Sequence, residues 1–235
     1  MATAHDVLKA LKAISDQNIA AHSSRFFKTG KGEYGEGDQF LGIRVPEQRK
    51  IARNNKTTSL DEIEKLLQSE FHEARLTALF ILVLQYRSTT AARREEIYHF
   101  YMNNLNRVNN WDLVDSSAKY IAGHFLFDTD RSTLFELAES NNLWKRRVAV
   151  LTTFYFIDRG DFSTTFEISD KLLQDKEDLI HKAVGWMLRE IGKQNRAELE
   201  NFLKPRYKMM PRTMLRYAIE KFPKEHREEY LKSLV

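Results

Sequence analysis

The fold of this chain is decided by the segment Trp144-Lys145-Arg146-Arg147-Val148-Ala149, in which a helix opens with cations and continues with apolar residues. The segment Ile180-His181-Lys182-Ala183-Val184 has the same outline, and Arg147 and Lys182 are 35 positions apart. Arg75 precedes Arg147 by 72 positions, about two such periods. A helix-pair repeat in this range is typical of α-solenoids of the HEAT or armadillo type.

Helical periodicity extends outward from this segment over most of the 235 residues, which include only 9 Gly and 4 Pro. Helix pairs are predicted at 59–68 with 71–87, 92–105 with 111–125, 130–139 with 142–157, 163–173 with 176–192, and 196–204 with 211–221. Residues 3–27 predict two earlier helices, Pro46 suits a helix start, and Ser59 to Glu62 resemble a capping box. No segment alternates with the period of a strand. We therefore predict an all-α, HEAT-like solenoid with a concave DNA-binding groove. It forms one domain over 1–235, with N-terminal helices and a Gly-rich loop in 1–58 and helix-pair repeats in 59–235.

Cations recur on the predicted second helices, which line one concave wall when helix pairs stack. They are Arg75, Arg147, Lys182 and Arg212. A cation in several successive repeats predicts an electrostatic track for a polyanion. The alternative for Arg147 is that Arg146 and Arg147 are an ordinary solvated pair of charges.

Composition bounds the function. The formal net charge is +4 and the pI about 9.1, a mild basic excess that permits a nucleic-acid partner. The absence of cysteine excludes disulfides, thiol catalysis and zinc–thiolate sites, and it suits a cytoplasmic location. No apolar run approaches the roughly 20 residues of a membrane span, and no signal-peptide pattern opens the chain. The histidines lack metal-ligand spacing, and the loop 29–38 lacks P-loop spacing, so we expect neither metal nor cofactor.

Two segments carry candidate chemistry. In Asn110-Trp111-Asp112-Leu113-Val114-Asp115, a helix would place Trp111 and Asp115 on one face, so that an indole and a carboxylate share a cationic partner. The alternative is a core tryptophan and a helix-capping aspartate. Gly185 directly before Trp186 indicates close approach of a backbone or a ligand, or simple core packing. Trp144 is predicted to pack in the core or between repeats.

These segments, together with Phe40-Leu41-Gly42-Ile43-Arg44-Val45-Pro46 and Lys182-Ala183-Val184-Gly185-Trp186-Met187-Leu188-Arg189-Glu190, resemble the AlkD-type DNA alkylation repair family of HEAT-like-repeat DNA glycosylases. The resemblance runs from about residue 26 to the final helices. It implies that Trp111, Asp115, Arg147 and Trp186 line the lesion site. Where the family often has tyrosine this chain has Phe26, which lacks a hydroxyl group.

The function implied by the resemblance is excision of cationic alkylpurines, such as 3-methyladenine and 7-methylguanine, from duplex DNA by a monofunctional N-glycosylase without base flipping. Asp115, Trp111 and Trp186 are then the catalytic residues, and Arg147, Lys182, Phe26, Arg75 and Arg212 the DNA-binding ones. No lysine in the Trp111–Asp115 segment offers an amine nucleophile. We expect a monomer in the cytoplasm, associated with the nucleoid if the source is bacterial. The alternative is a non-catalytic HEAT-repeat scaffold that binds DNA or protein.

Overall fold

The computed structural model describes residues 2–235, and within them the chain forms helices and no strand, with one isolated bridge between Gln39 and Phe71. The predicted all-α class is confirmed. The chain divides into two compact units, Met1–Phe125 and Leu126–Val235. Each unit is described by itself, and the single domain predicted over 1–235 stays a prediction. No described helix is both long enough and apolar enough to cross a bilayer.

Unit 1 is built around one long helix preceded by four shorter ones. Its helices are α1 Ala4–Lys12, α2 Gln17–Phe26, α3 Val45–Asn54, α4 Leu60–Leu67, α5 His72–Arg87, α6 Ala91–Asn103, a 3₁₀ turn Leu105–Arg107, α7 Trp111–Asp115, a π-helical turn Lys119–Gly123, and α8 His124–Phe127, within which the two units divide. Helix α5 is buried on nearly its whole circumference, from His72 to Val83. A helix buried all round belongs at the centre, and α3 and α4 pack against it.

Unit 2 is organised around a second long helix. Its helices are α9 Ser132–Ala138, α10 Leu143–Thr152, α11 Phe154–Ile157, α12 Ser163–Lys171, α13 Asp178–Gln194, α14 Arg196–Leu203, α15 Arg212–Ala218 and α16 Lys224–Leu231. Helix α13 packs against α10, α14 and α15. Trp144 on α10 is only 8% exposed, so its predicted place in the core is confirmed.

Most predicted helix pairs are present, but two predicted second helices are broken. The single helix predicted at 111–125 is divided: α7 ends at Asp115, and a separate π-helical turn begins at Lys119. The helix predicted at 142–157 is interrupted after Thr152, where the Thr153 hydroxyl donates to the Val150 carbonyl at 2.8 Å. A threonine that bonds back to the preceding turn competes with the helix ladder.

The predicted capping box at Ser59 is half formed. The Ser59 hydroxyl accepts from the backbone N–H of Glu62 at 3.4 Å, as an N-cap does. The Glu62 carboxylate does not return to Ser59, because it accepts from the backbone N–H of Ala4 at 2.6 Å and pairs with Lys65. Glu62 therefore ties the start of α1 to α4.

Gly185 is explained by the close approach of a backbone. A Cβ atom at Gly185 would lie 2.5 Å from both the Met214 carbonyl oxygen and the Tyr217 Cβ on α15. We expect Gly185→Ala to lower the free energy of unfolding by about 1–3 kcal/mol, since the contact is with backbone and cannot relax cheaply. Urea denaturation measures this. Gly192→Ala is the matched control, because the one atom that its Cβ would approach too closely is a terminal methyl of Leu199. An equal loss in both variants would contradict the explanation.

Candidate functional site

The short helix α7 presents the predicted tryptophan and aspartate together. Asn110 caps it, with its side-chain oxygen accepting from the backbone N–H of Trp111 at 2.8 Å. Trp111 and Asp115 stand four residues apart on α7 and are half-buried, whereas Leu113 and Val114 between them are buried. Positions four apart share one face of a helix, so the indole and the carboxylate lie on the side of α7 that reaches solvent.

Aromatic rings from the N-terminal region form a stack against Trp111. The Phe27 ring is stacked on Trp111, with centroids 5.2 Å apart and planes 10° apart, and Phe26 meets Trp111 edge-on at 6.0 Å. Phe40 stacks beneath Phe27 at 5.0 Å. Phe26 is 58% exposed, so this aromatic stack of Phe26, Phe27, Phe40 and Trp111 offers apolar and π surface to solvent.

A buried charged network lies under the aromatic stack. His72, at the start of α5, bonds through Nδ1 to Asp38 at 3.0 Å and through Nε2 to Asp112 at 2.8 Å. Asp38 also pairs with Arg75 at 2.5 Å and accepts from the Asn110 side-chain amide at 3.2 Å. Asp112 and Asn110 flank Trp111 in the sequence. This network, of Asp38, His72, Arg75, Asn110 and Asp112, therefore holds the start of α7 against α5.

The two carboxylates decide the protonation state of His72. A carboxylate only accepts hydrogen bonds, so both ring nitrogens must donate and the ring carries a positive charge. Burial lowers the pKa of His72, but the charge of Asp112 and the hydrogen bonds to Asp112 and Asp38 outweigh burial and raise this pKa to about 9. For Asp38, burial alone would raise the pKa. The hydrogen bond to His72 and the charge of Arg75 outweigh burial and hold the pKa of Asp38 below its usual value.

A second buried acid fixes the segment that leads from the Gly-rich loop into α3. The Glu73 carboxylate accepts from three consecutive backbone N–H groups, those of Leu41 at 2.9 Å, Gly42 at 2.8 Å and Ile43 at 3.2 Å. Gly42 has φ +80°, and a Cβ there would strike the Asp16 carbonyl oxygen. Hydrogen bonds to Glu73 on α5 therefore fix the backbone next to Phe40, which belongs to the aromatic stack.

Asp115 ends α7 above a buried hydroxyl pair. Tyr101 and Ser117 share a hydrogen bond of 3.0 Å in the core. Burial raises the pKa of the Tyr101 phenol, and the negative charge of Asp115 raises it further. Asp115 itself is half-buried, so part of this residue remains accessible to solvent.

The family model described as "DNA alkylation repair enzyme" matches residues 7–222, most of the chain. The chain belongs to this family. The resemblance drawn from the motifs is thereby confirmed, and no curated protein matches the chain.

Two solved structures share the fold of this family member. A predicted DNA alkylation repair enzyme from Enterococcus faecalis is 20% identical with a TM-score of 0.69, and the match covers 89% of this chain and 97% of that one. AlkD2 from Streptococcus mutans is 19% identical with a TM-score of 0.55, covering 88% of this chain and 99% of that one. Identities this low support the all-helical fold alone.

One of the predicted DNA-contacting arginines of this family member is buried in unit 1. Arg75 is 2% exposed, and its guanidinium is occupied by Asp38 and by the carbonyl groups of Ser69 and Glu70. The exposed position predicted for Arg75 is therefore wrong, because a loop carboxylate draws this side chain into the interior. Arg75 serves the network beneath Trp111.

On unit 2, the predicted residues lie in different environments. Arg147 is 5% exposed and donates to the Leu179 carbonyl at 2.8 Å, so it too is no part of an exposed track. The half-buried Trp186 donates its indole N–H to Glu190 at 3.0 Å and meets Phe154 edge-on. Lys182 pairs with Asp178 at 2.7 Å, and Arg212 is exposed and donates to the Leu231 carbonyl.

Sequence reasoning missed Phe27, Asp38 and His72. Asp38 and His72 are 34 residues apart and belong to no local spacing pattern. The one available signal in the sequence was Asp112, a second acid directly after Trp111, which bonds to His72. Within residues 2–235 no cluster of three His, Asp or Glu side chains is placed to hold a metal ion.

Proposed function

We propose that this protein is a monofunctional DNA N-glycosylase that removes cationic alkylpurines, such as 3-methyladenine and 7-methylguanine, from duplex DNA. The observation that supports this best is the shared face of Trp111 and Asp115 on α7, fixed from below by the buried His72–Asp112 pair. An enzyme gains rate only from groups that bind the transition state better than the substrate, which requires such fixed positions. We further propose that it acts as a monomer in the cytoplasm.

The chemistry begins from the charge of the lesion. A purine alkylated at N3 or N7 carries a formal positive charge and leaves as a neutral base, so its glycosidic bond is already weak. As that bond breaks, positive charge moves to the sugar, as in glycoside hydrolysis. Asp115 then opposes the sugar cation with a full negative charge, and the rings of Trp111 and Phe26 attract it through their π faces.

The reaction balances with water alone. The C1′–N bond breaks with its electron pair passing to the departing purine, which becomes neutral. A water oxygen bonds to C1′, and its proton goes to the Asp115 carboxylate and then to solvent. Phe26 has no hydroxyl group, so it acts here only through its ring. On unit 2, the roles that the family's motif implies for Trp186 and Arg147 stay predictions, and the burial of Arg147 argues against its contact with a phosphate.

We expect the purified protein to release 7-methylguanine from duplex DNA and to leave uracil and hypoxanthine in place. The solvent-reaching face of α7 stabilises positive charge and supplies no acid for protonating a neutral leaving base. Three duplexes, each with one of these bases, provide the measurement, with the spontaneous loss of 7-methylguanine as background. Efficient release of uracil would contradict the charge argument.

Release of no alkylated base above background would favour the non-catalytic scaffold. Trp111→Ala provides a second readout. A cation–π contact is worth about 0.5–2 kcal/mol, so we expect release of 7-methylguanine to slow by about tenfold. Circular dichroism melts accompany the variant, since a collapse of its melting temperature would assign Trp111 to the core.

A further inference from the structure

Three arginines surround a cavity on unit 1 that none of the assignments above uses. The cavity has a volume of about 120 Å³ and lies between α3, α5 and the segment that follows α7. Its walls include Arg49 and Arg53 from α3, Arg87 from the end of α5, and Ser116. No acidic residue lines it. A water molecule occupies about 30 Å³ of liquid, so the cavity has room for a small polyatomic anion.

Two of the arginines, Arg49 and Arg87, are held in place by aromatic rings instead of by carboxylates. The Arg49 guanidinium carbon lies 4.1 Å from the Phe80 ring centroid, and that of Arg87 lies 4.2 Å from the Tyr120 centroid. Both distances are those of cation–π contacts. A ring face fixes a guanidinium without using its N–H donors as a carboxylate would, so these donors remain available to a ligand.

Within the part of the chain that the structure describes, these three arginines have no carboxylate counter-ion, unlike several other arginines of the protein. Arg75, Arg131 and Arg146 each pair with an aspartate. Across residues 2–235, neither Arg49, Arg53 nor Arg87 forms an ion pair with a carboxylate, and all three are exposed. Three like charges around one cavity repel each other, and a bound anion relieves that repulsion.

The location of the cavity indicates the source of the anion. Ser116 lines the cavity and directly follows Asp115, and consecutive Cα atoms lie about 3.8 Å apart. The wall of the cavity therefore includes the residue next in sequence to Asp115, which faces the sugar in the proposed reaction. Arginine guanidinium groups match phosphate oxygens with paired N–H donors.

We propose that Arg49, Arg53 and Arg87 form a phosphate-binding pocket that takes a backbone phosphate of the DNA strand whose sugar faces Asp115. The proposal rests on the proposed function for its choice of DNA as the ligand. Its role is positioning: the pocket fixes the strand beside Asp115 before the glycosidic bond breaks. It also supplies exposed cations on unit 1, where Arg75 is buried.

The first test measures binding to an undamaged duplex by fluorescence anisotropy at several salt concentrations. Affinity should fall steeply with salt. Arg87→Gln and Arg49→Gln should each weaken binding by about tenfold, and their double variant should make the slope of log K against log salt shallower by about 1, as for one lost phosphate contact. Arg93→Gln is the matched control, because Arg93 is on α6, pairs with Glu96 at 2.5 Å and does not line the cavity. Equal behaviour of all three single variants would overturn the proposal.

The second test locates the phosphate. Duplexes carry an abasic-site analogue and one uncharged methylphosphonate at successive backbone positions. The wild-type protein should bind more weakly when the methylphosphonate is at one particular position beside the abasic site. The Arg87→Gln variant should bind no more weakly with the methylphosphonate at that position than without it, since the same contact is already gone. Full additivity at every position would overturn the assignment. A third arm adds inorganic phosphate without DNA: a rise in melting temperature that Arg87→Gln abolishes, with unchanged DNA binding, would assign the pocket to a free anion and overturn the DNA proposal.

The tests of the phosphate-binding pocket and the test of base excision can succeed or fail independently. Binding to undamaged DNA requires no base release, so the pocket can be supported while excision of 7-methylguanine is absent. Conversely, normal excision with arginine variants that bind like Arg93→Gln would leave the glycosylase proposal standing and remove the pocket. Circular dichroism melts check that the exposed arginine substitutions leave the fold intact.

Discussion

Replacing Asp115 with Asn should leave duplex binding intact and slow the release of 7-methylguanine by about 30- to 1,000-fold, the range that corresponds to 2–4 kcal/mol of transition-state stabilisation. The amide is nearly isosteric with the carboxylate, so the surface of α7 keeps its shape. What is lost is the negative charge that opposes the sugar cation and accepts the proton of water. Single-turnover kinetics with a duplex carrying one 7-methylguanine measures the effect.

The control for Asp115→Asn is Asp61→Asn, which removes an exposed carboxylate from the first turn of α4 in the same unit. Asp61→Asn should release the base at the wild-type rate. Anisotropy with an undamaged duplex then separates a loss of catalysis from a loss of binding. A rate for Asp115→Asn within a few-fold of wild type would remove Asp115 from the mechanism.

The stability of unit 1 should fall by about 3 kcal/mol between pH 6.5 and about 9.5, because His72 must lose its proton in this range. The pKa of His72 in the folded protein is about 9, above its ordinary value of 6.5. A raised histidine pKa stabilises the fold fully below 6.5, and the contribution disappears as the pH rises through 9. Melting temperatures across this range should decrease by about 6 °C or more.

Two histidine variants make this result specific. His99→Gln changes an exposed histidine on α6 and should keep the wild-type pH profile. His72→Gln should be less stable at pH 6.5 and lose most of the pH dependence, since it leaves Asp38 and Asp112 without their shared cation. A wild-type melting temperature that stays level from pH 6.5 to about 9.5 would show that the ring is not charged in the folded state.

The sequence predicted what local spacing encodes. The four-residue interval between Trp111 and Asp115 placed them on one helix face, and the cap at Ser59 located the start of α4. Periodicity also identified α5 and α13 as second helices, although it could not show that Thr153 interrupts α10. These features depend on neighbours within one or two helical turns, which the sequence displays directly.

The remaining features depend on partners distant in the chain. Arg75 looked like an exposed cation because its own helix shows no acid that would bury it, and its partner Asp38 comes from a loop 37 residues earlier. The sequence singled out neither Arg49 nor Arg87, because only the packing of α3 beside α5 places them around one cavity. Charge pattern alone does not distinguish a buried arginine from an exposed one.

The network around Asp38 also has a consequence for synthesis. Asp38 is made before any of its partners: His72 follows 34 residues later and Asn110 follows 72 residues later. At translation rates of about 5–20 residues per second, His72 follows Asp38 by roughly 2–7 s and Asn110 by roughly 4–14 s. Helices α1 and α2 can form in that interval. The backbone N–H groups of Leu41 to Ile43, however, remain hydrogen-bonded to water until Glu73 is synthesised. The network beneath Trp111 can therefore form only late in synthesis, after Asn110 and Asp112 have left the ribosome.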